Sequence, residues 1–357
     1  MSLIGSNQRD QPLRVVQWTT GIVGASSLRA IIEDPRLELV GVFAHSDAKI
    51  GEDAGVIAGV GPVGVRATGE VDALIGLEPD CIVYMPQWPD IAMLECFLGA
   101  GINVVTTARL VTGRYYDDDA GQRLERAARR GGASLYGTGM NPMFVPTVAL
   151  AATAMCRHVH HIRVIESVDC ALYGAAATWE AYGFGSPIDR PDLKDDLWRA
   201  EPDYREVLDV MARSLGVELD DMTLDVDYAA ANEDRDLGFM KISEGTVAAL
   251  DARWIGLVGG KPFVELRTVW KLGAMFGFTE DPDWPMLYGY RVEIDGEPTV
   301  RLKLSFRPED LDNIDIGCST ALPAVNAIPA VCAARPGVIT PAELTLITGR
   351  GSPIGLA

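Results

Sequence analysis

The chain has 357 residues, 48% of them hydrophobic and 23% charged, enough to bury ordinary globular cores; at about 150 residues per domain the length suggests two. Lys and Arg total 31 against 50 Asp and Glu, a formal net charge of -19, which opposes binding to nucleic acid or to an anionic membrane face but leaves room for a local basic pocket. The apolar stretch from Phe144 to Cys156 is broken by Pro146 and too short to span a bilayer, and six scattered cysteines without a CxxC pair suggest no metal site and a reducing cytoplasm.

Residues 1–11 read as a flexible polar tail, with no basic region ahead of an apolar core. Strand and helix patterns then alternate. Arg14 to Trp18 is extended, Ile22 to Ile32 has helical spacing stopped at Asp34-Pro35, and Leu37 to Ala44 is a second strand. A Gly-rich connection runs from Gly51 to Gly69 and a short helix from Glu70 to Ile75. Strands at Asp80 to Tyr84, Asn103 to Thr107 and Ala133 to Tyr136 alternate with helices at Pro89 to Leu98 and Asp117 to Arg130. Strands spaced by helices in this way form βαβ units and a parallel sheet.

After Tyr136 the character changes. A helix is expected over Pro142 to Cys156, then strands at His161 to Val168, Thr246 to Val258, Pro262 to Trp270, Leu287 to Ile294 and Thr299 to Phe306, the last two joined by an Asp295-Gly296 hairpin. Residues 189–236 read as a polar, Asp-rich helical insertion around a helix from Tyr204 to Leu215. The tail returns to helix over Ser319 to Ala334, and another helix is expected to start at Thr340-Pro341-Ala342-Glu343, a capping-box pattern. The expected fold is α/β: a Rossmann dinucleotide-binding domain with a doubly wound parallel sheet over 12–141, completed by 319–357. An α+β domain with a mixed, largely antiparallel sheet over 142–318 is expected to bind substrate and to dimerise.

Chemistry is announced first by Thr19-Thr20-Gly21-Ile22-Val23-Gly24, between the first strand and the first helix. Gly21 and Gly24 hold the second and third positions of a GxGxxG turn and Thr19 the first. Such a turn brings backbone against a pyrophosphate at a helix N-terminus. At the tip of the second strand, where an acid usually meets the ribose of NAD, stand His45, Ser46, Asp47 and Lys49. Ser46 with His45 or Lys49 suits the 2′-phosphate of NADP, and Asp47 leaves NAD open. Met85, Pro86, Thr106, Thr107 and Ala108 end two further strands where a nicotinamide should lie, and Gly139, Asn141 and Pro142 sit at the domain crossover.

The sequence resembles the 2,4-diaminopentanoate dehydrogenase and native amine dehydrogenase family, whose Rossmann domain is related to dihydrodipicolinate reductase. The resemblance rests on VVQW followed by TTGIVG, on Gly137 to Pro142, on Gly183-Phe184-Gly185, on Gly245-Thr246-Val247 and on Val325 to Ala330. It implies NAD(P)H-dependent reduction of an imine or oxidation of an amine, between two domains of a homodimer. The resembling amine dehydrogenases carry a glutamate just after the strand that here continues Ala108-Arg109-Leu110. An arginine there would repel an iminium and suit a carboxylate substrate instead.

On the strand from His161, alternation places Glu166 with Ile162, Val164 and Val168, and Asp169 on the other face with Arg163. Glu166 among apolar neighbours is a candidate acid, as are Asp169 and Tyr173 at the strand end; an ion pair with Arg163, an N-cap and a core tyrosine are the competing readings. Trp179, Tyr182 and Phe184 read as a pocket wall or as core. His160-His161 lacks further ligands at metal spacing and reads as partly exposed. The chain is therefore expected to be an NAD(P)-dependent oxidoreductase on a small carbonyl, imine or amine. The alternatives are a dinucleotide-binding sensor without catalytic acid, or a reductase of a carboxylated cyclic imine.

Overall fold

The computed structural model describes residues 11–273, 284–305 and 317–351 and divides the chain into two units; residues 1–10 of the expected tail and Phe306 lie outside the described residues. The first unit takes in the described parts of Met1–Ala108, Asp119–Gly139 and Gly317–Ala357. Its strands are β1 (Leu13–Trp18), β2 (Leu37–Phe43), β3 (Ala67–Thr68), β4 (Cys81–Tyr84), β5 (Asn103–Thr106) and β6 (Ser134–Gly137). The intervening helices are α1 (Ile22–Glu33), α2 (Ala54–Ala58), α3 (Val71–Ile75), α4 (Ile91–Gly99) and α5 (Ala120–Gly131).

The second unit, Arg109–Asp118 and the described part of Met140–Ile316, holds α6 (Val145–Ala152), β7 (Val159–Asp169), α7 (Ala176–Ala181), α8 (Leu193–Ala200) and α9 (Pro202–Ser214). It continues with β8 (Asp221–Ala230), β9 (Arg235–Asp236), β10 (Lys241–Ile242), β11 (Val247–Val258), β12 (Lys261–Lys271), β13 (Gly289–Gly296) and β14 (Val300–Ser305). The chain then returns to the first unit with α10 (Cys318–Cys332) and β15 (Gly337–Ile339).

The first unit is a seven-stranded parallel sheet in the order β15-β6-β5-β4-β1-β2-β3. Its central strands β1, β4 and β5 are buried along nearly their whole length because parallel strands are covered on both faces. Ile31, Ala324, Val325 and Ile328 from α1 and α10 share one core with Val15, Val83 and Val105. The order reverses between β1 and β4, so the loops after these strands open a crevice at the carboxyl edge.

The second unit is a six-stranded mixed sheet, β14-β13-β7-β12-β11-β8, in which only β7 and β12 run parallel. Ile162, Val164, Leu266 and Val292 meet Val207, Leu208 and Met211 of α9 in its core. Four readings need correction. Asp221–Ala230, taken as polar insertion, is a full edge strand: Met222, Leu224, Val226 and Tyr228 alternate with Asp221, Thr223, Asp225 and Asp227, and these polar residues mask the period of two. The tail after Thr340 makes a single 3-10 turn, Pro341–Glu343, although its capping box forms, because Leu344 to Thr348 lack helical spacing. The helix expected from Pro142 starts only at Val145, after a π-turn in which Asn141 is extended. Finally, residues 109–118 group with the second unit, because Glu206 of α9 accepts from Val111 N at 2.6 Å and from Thr112 N at 2.9 Å.

Candidate active site

In the first unit the turn after β1 leaves its backbone open to solvent at Gly21. Thr19, at the first-glycine position, is held at φ +74°, a left-handed conformation a β-branched residue adopts only under constraint. The constraint is Gln17, fully buried, whose Nε2 donates to the Thr19 carbonyl at 3.0 Å while its Oε1 accepts from Ser27 Oγ at 2.6 Å. A Cβ on Gly24 would lie 2.4 Å from the Thr19 carbonyl oxygen, so Gly24 is required for packing; a Cβ on Gly21 would meet nothing within 4 Å. Helix α1 follows the N-cap Gly21 with no side-chain cap and no acid in its first turn, and Thr19 Oγ1 is buried without a hydrogen-bond partner among the described residues. Bare helix N–H groups, open space over Gly21 and an unsatisfied hydroxyl fit a dinucleotide pyrophosphate.

The other predicted cofactor residues gather on the same edge. Thr20 offers its carbonyl to Lys49 Nζ at 2.6 Å, and His45 lies edge-on to Phe43, which stacks on Trp18 at 3.9 Å. Ser46 and Asp47 are exposed, as is Ile22, whereas Val23 is partly buried. Met85 N donates to the Trp18 carbonyl and Thr107 N to that of Tyr84; Thr106 Oγ1 accepts from Ala108 N at 2.9 Å. Pro86 is partly buried beside Met85, and Gly139 has φ +127° with its missing Cβ facing Thr107 and Thr320.

In the second unit, buried polar side chains form two linked groups. Glu166 accepts from Tyr290 Oη at 2.5 Å, from Trp270 Nε1 at 2.9 Å and from Asn141 Nδ2, which also donates to Tyr204 Oη at 2.6 Å. Burial raises the Glu166 pKa and these three donors oppose the rise. Arg109 forms the second group: it pairs with Glu201 Oε1 at 2.6 Å and donates to Tyr182 Oη and to the Ala200 carbonyl. Asp203 lies beside Glu201; burial and the neighbouring Glu201 both push its pKa well above the ordinary aspartate value. Asp203 Oδ1 and Tyr116 Oη are buried there without hydrogen-bond partners among the described residues. Trp179, Tyr182, Phe184 and Trp270 close round as an aromatic wall, with Tyr182 and Trp270 centroids 4.9 Å apart.

The 2,4-diaminopentanoate dehydrogenase C-terminal domain matches residues 143–351, more than half of the chain and including Glu166, Glu201 and Asp203. The chain belongs to the 2,4-diaminopentanoate dehydrogenase family. With it the chain joins the nicotinamide-dependent oxidoreductases. It is 26% identical to an amine dehydrogenase from Streptomyces virginiae over 94% of this chain and 96% of that one. A 2,4-diaminopentanoate dehydrogenase from Acetoanaerobium sticklandii is 23% identical over 68% of this chain and 66% of its own length. A structure of an amine dehydrogenase from Mycobacterium smegmatis shares the fold, with a TM-score of 0.78, 21% identity and coverage of 96% and 99% of the two chains.

Within this family member the predicted catalytic residues part company. Glu166 and Arg109 both enter buried polar groups. Asp169 caps the turn after β7, accepting from Ala171 N at 2.9 Å and from Gly273 N at 3.0 Å. Tyr173 packs on Trp179, which donates to its carbonyl at 2.8 Å. Asn141, expected at the cofactor, turns its side chain to Glu166, with Pro142 buried next to it. His161 lies 3.6 Å from Glu265 on the sheet face opposite Glu166, and among the described residues no cluster of metal ligands occurs. Sequence reading missed Gln17, Glu201, Asp203, Tyr204, Trp270 and Tyr290. The one available signal was acids at 201, 203, 206 and 209 within a helix otherwise apolar enough for a core.

Proposed function

We propose that the protein catalyses the NAD(P)H-dependent interconversion of a small amine and its carbonyl compound. The dinucleotide is read by the turn Thr19 to Gly24 and the amino end of the substrate by the acids around Arg109. One observation carries this reading: the charge of Arg109 is matched by Glu201, and Asp203 adds a second carboxyl. The objection that Arg109 repels a cation assumes an isolated guanidinium, whereas the cluster is neutral with Asp203 protonated and negative without its proton.

In the reductive direction a carbonyl compound and ammonia lose water to give an imine, which gains a proton and a hydride to become the amine. A dinucleotide held by the turn Thr19 to Gly24 would supply the hydride. The protein's part is to bind and orient. Asp203 holds a proton on a buried carboxyl and faces the iminium as a carboxylate once it has given that proton up. Arg109 fixes Glu201, and the aromatic wall excludes water from the carbon skeleton. Glu166 acts through Asn141, Trp270 and Tyr290, which it fixes in place. Ser46, with His45 or Lys49, favours NADP over NAD.

Amine formation from ammonia, NADPH or NADH and a panel of small aldehydes and ketones tests the reading, with product identified by mass spectrometry. Amine is expected, with NADPH preferred by about tenfold, the worth of one charge-assisted phosphate contact. Turnover confined to carboxylated cyclic imines, or cofactor binding without turnover across the panel, overturns it.

A further inference from the structure

A pocket of about 280 Å³ in the second unit lies between α8, α9, the 109–118 segment and the start of β8. Arg205 dominates it. The guanidinium carbon sits 4.9 Å from the ring centroid of Trp198 and 5.6 Å from that of Tyr115, a cation held between two π-faces. Neighbouring arginines are spent: Arg114 and Arg213 are both tied to Asp209, at 3.0 and 2.8 Å. Arg205 is not, and among the described residues its Nε is buried without a hydrogen-bond partner. Burial disfavours its charge and lowers its pKa, with Glu206 and Asp203 opposing the fall, and no ion pair to Arg205 forms among the described residues.

Across the pocket stand Asp220 and Asp221, both exposed. Backbone groups orient them: Asp220 Oδ2 accepts from Gly259 N at 2.5 Å and Asp221 Oδ1 from Met222 N at 2.8 Å, so each keeps a second oxygen. Leu219 and Met222 supply the apolar lining. A simple anion would meet Arg205 but face the two acids; a simple cation would meet the acids but face Arg205. A molecule with one charge of each sign at opposite ends of a short frame satisfies both.

We propose that this pocket binds a small zwitterion, an α-amino acid with an apolar side chain. Its carboxylate lies on Arg205, its ammonium against Asp220 and Asp221, and its side chain on Leu219 and Met222. The site involves none of the residues assigned to the reaction.

Isothermal titration of the intact protein with L-leucine, 4-methylpentanoate and 3-methylbutylamine tests it. These share one skeleton and carry both charges, the carboxylate alone and the amine alone. Leucine is expected to bind at least tenfold more tightly than either. Arg205→Gln is expected to weaken leucine by about tenfold or more, and the surface change Asp221→Asn to weaken it by a smaller factor, with NADPH affinity unchanged in both. Leucine binding equal in wild type and in both variants places the ligand elsewhere and overturns the proposal. So does the absence of leucine binding at millimolar concentration, or carboxylate binding as tight as leucine.

Discussion

The turn after β1 and the polar groups of the second unit solve opposite problems. The turn leaves groups unsatisfied among the described residues: bare N–H groups at α1, an unpartnered Thr19 hydroxyl and empty space over Gly21. In the second unit the two buried charges are matched internally, with three donors on Glu166 and with Glu201 and Tyr182 on Arg109, although Asp203 Oδ1 and Tyr116 Oη beside them have no hydrogen-bond partner among the described residues. A backbone site can wait exposed for its ligand because water serves the N–H groups meanwhile. A site built of buried charges has no such reserve, so each charge must be matched within the protein before any substrate arrives. The first kind tolerates change in side chains and not in glycines; the second does the reverse.

The largest effect should come from breaking the Arg109–Glu201 pair. Removing one partner of a buried pair strands the other, at a cost of about 3–5 kcal/mol. Glu201→Gln and Arg109→Met are each expected to lower the urea midpoint sharply, while the double variant recovers part of the loss. Single variants as stable as wild type would show that the cluster does not depend on the pairing.

The glycines give the next largest effect and separate packing from ligand contact. Gly21→Val has room within the protein and should fold normally by circular dichroism, yet lose NAD(P)H affinity by about 100-fold, as the side chain fills the space of the pyrophosphate. Gly24→Ala instead drives a methyl into a backbone carbonyl and should lower Tm whether or not cofactor is present. Identical behaviour of the two variants would erase the distinction.

The smallest effect concerns pH. The folded-state pKa of Asp203 is raised, by burial and by Glu201, so folding binds its proton more tightly than the unfolded chain does. Its contribution to stability is complete below the ordinary aspartate pKa of about 3.9 and is lost as pH rises through the folded value. Asp203→Asn should therefore gain stability relative to wild type as pH rises from about 4.5 to 8, read as a widening difference in Tm. A difference that is constant over this range would mean that Asp203 is not the proton holder.

The same contrast explains what could be read early. The Rossmann turn was legible because its residues are contiguous and its requirement is conformational: two glycines between a strand and a helix, set in βαβ units, point to it. Even there, the left-handed Thr19 and its support by Gln17 and Ser27 were not legible, since a buried amide bonding a carbonyl two residues on leaves no pattern in the chain. In the second unit Glu166 stood out as a carboxylate among apolar residues. Its partners Asn141, Trp270 and Tyr290 lie 25, 104 and 124 residues away.

Local order therefore determined the alternation of β and α in the first unit, the antiparallel hairpin of β13 and β14 and the glycine turn after β1, because each rests on spacing within a few residues. Tertiary structure alone decided that Arg109 is a neutralised member of an acid cluster, that Asp221–Ala230 is an edge strand, and that Asp169 is a cap where Glu166 is a network centre. Those outcomes depend on which distant groups share a buried volume. The energy of a charge there is set by its neighbours in space, and the order of the chain does not list them.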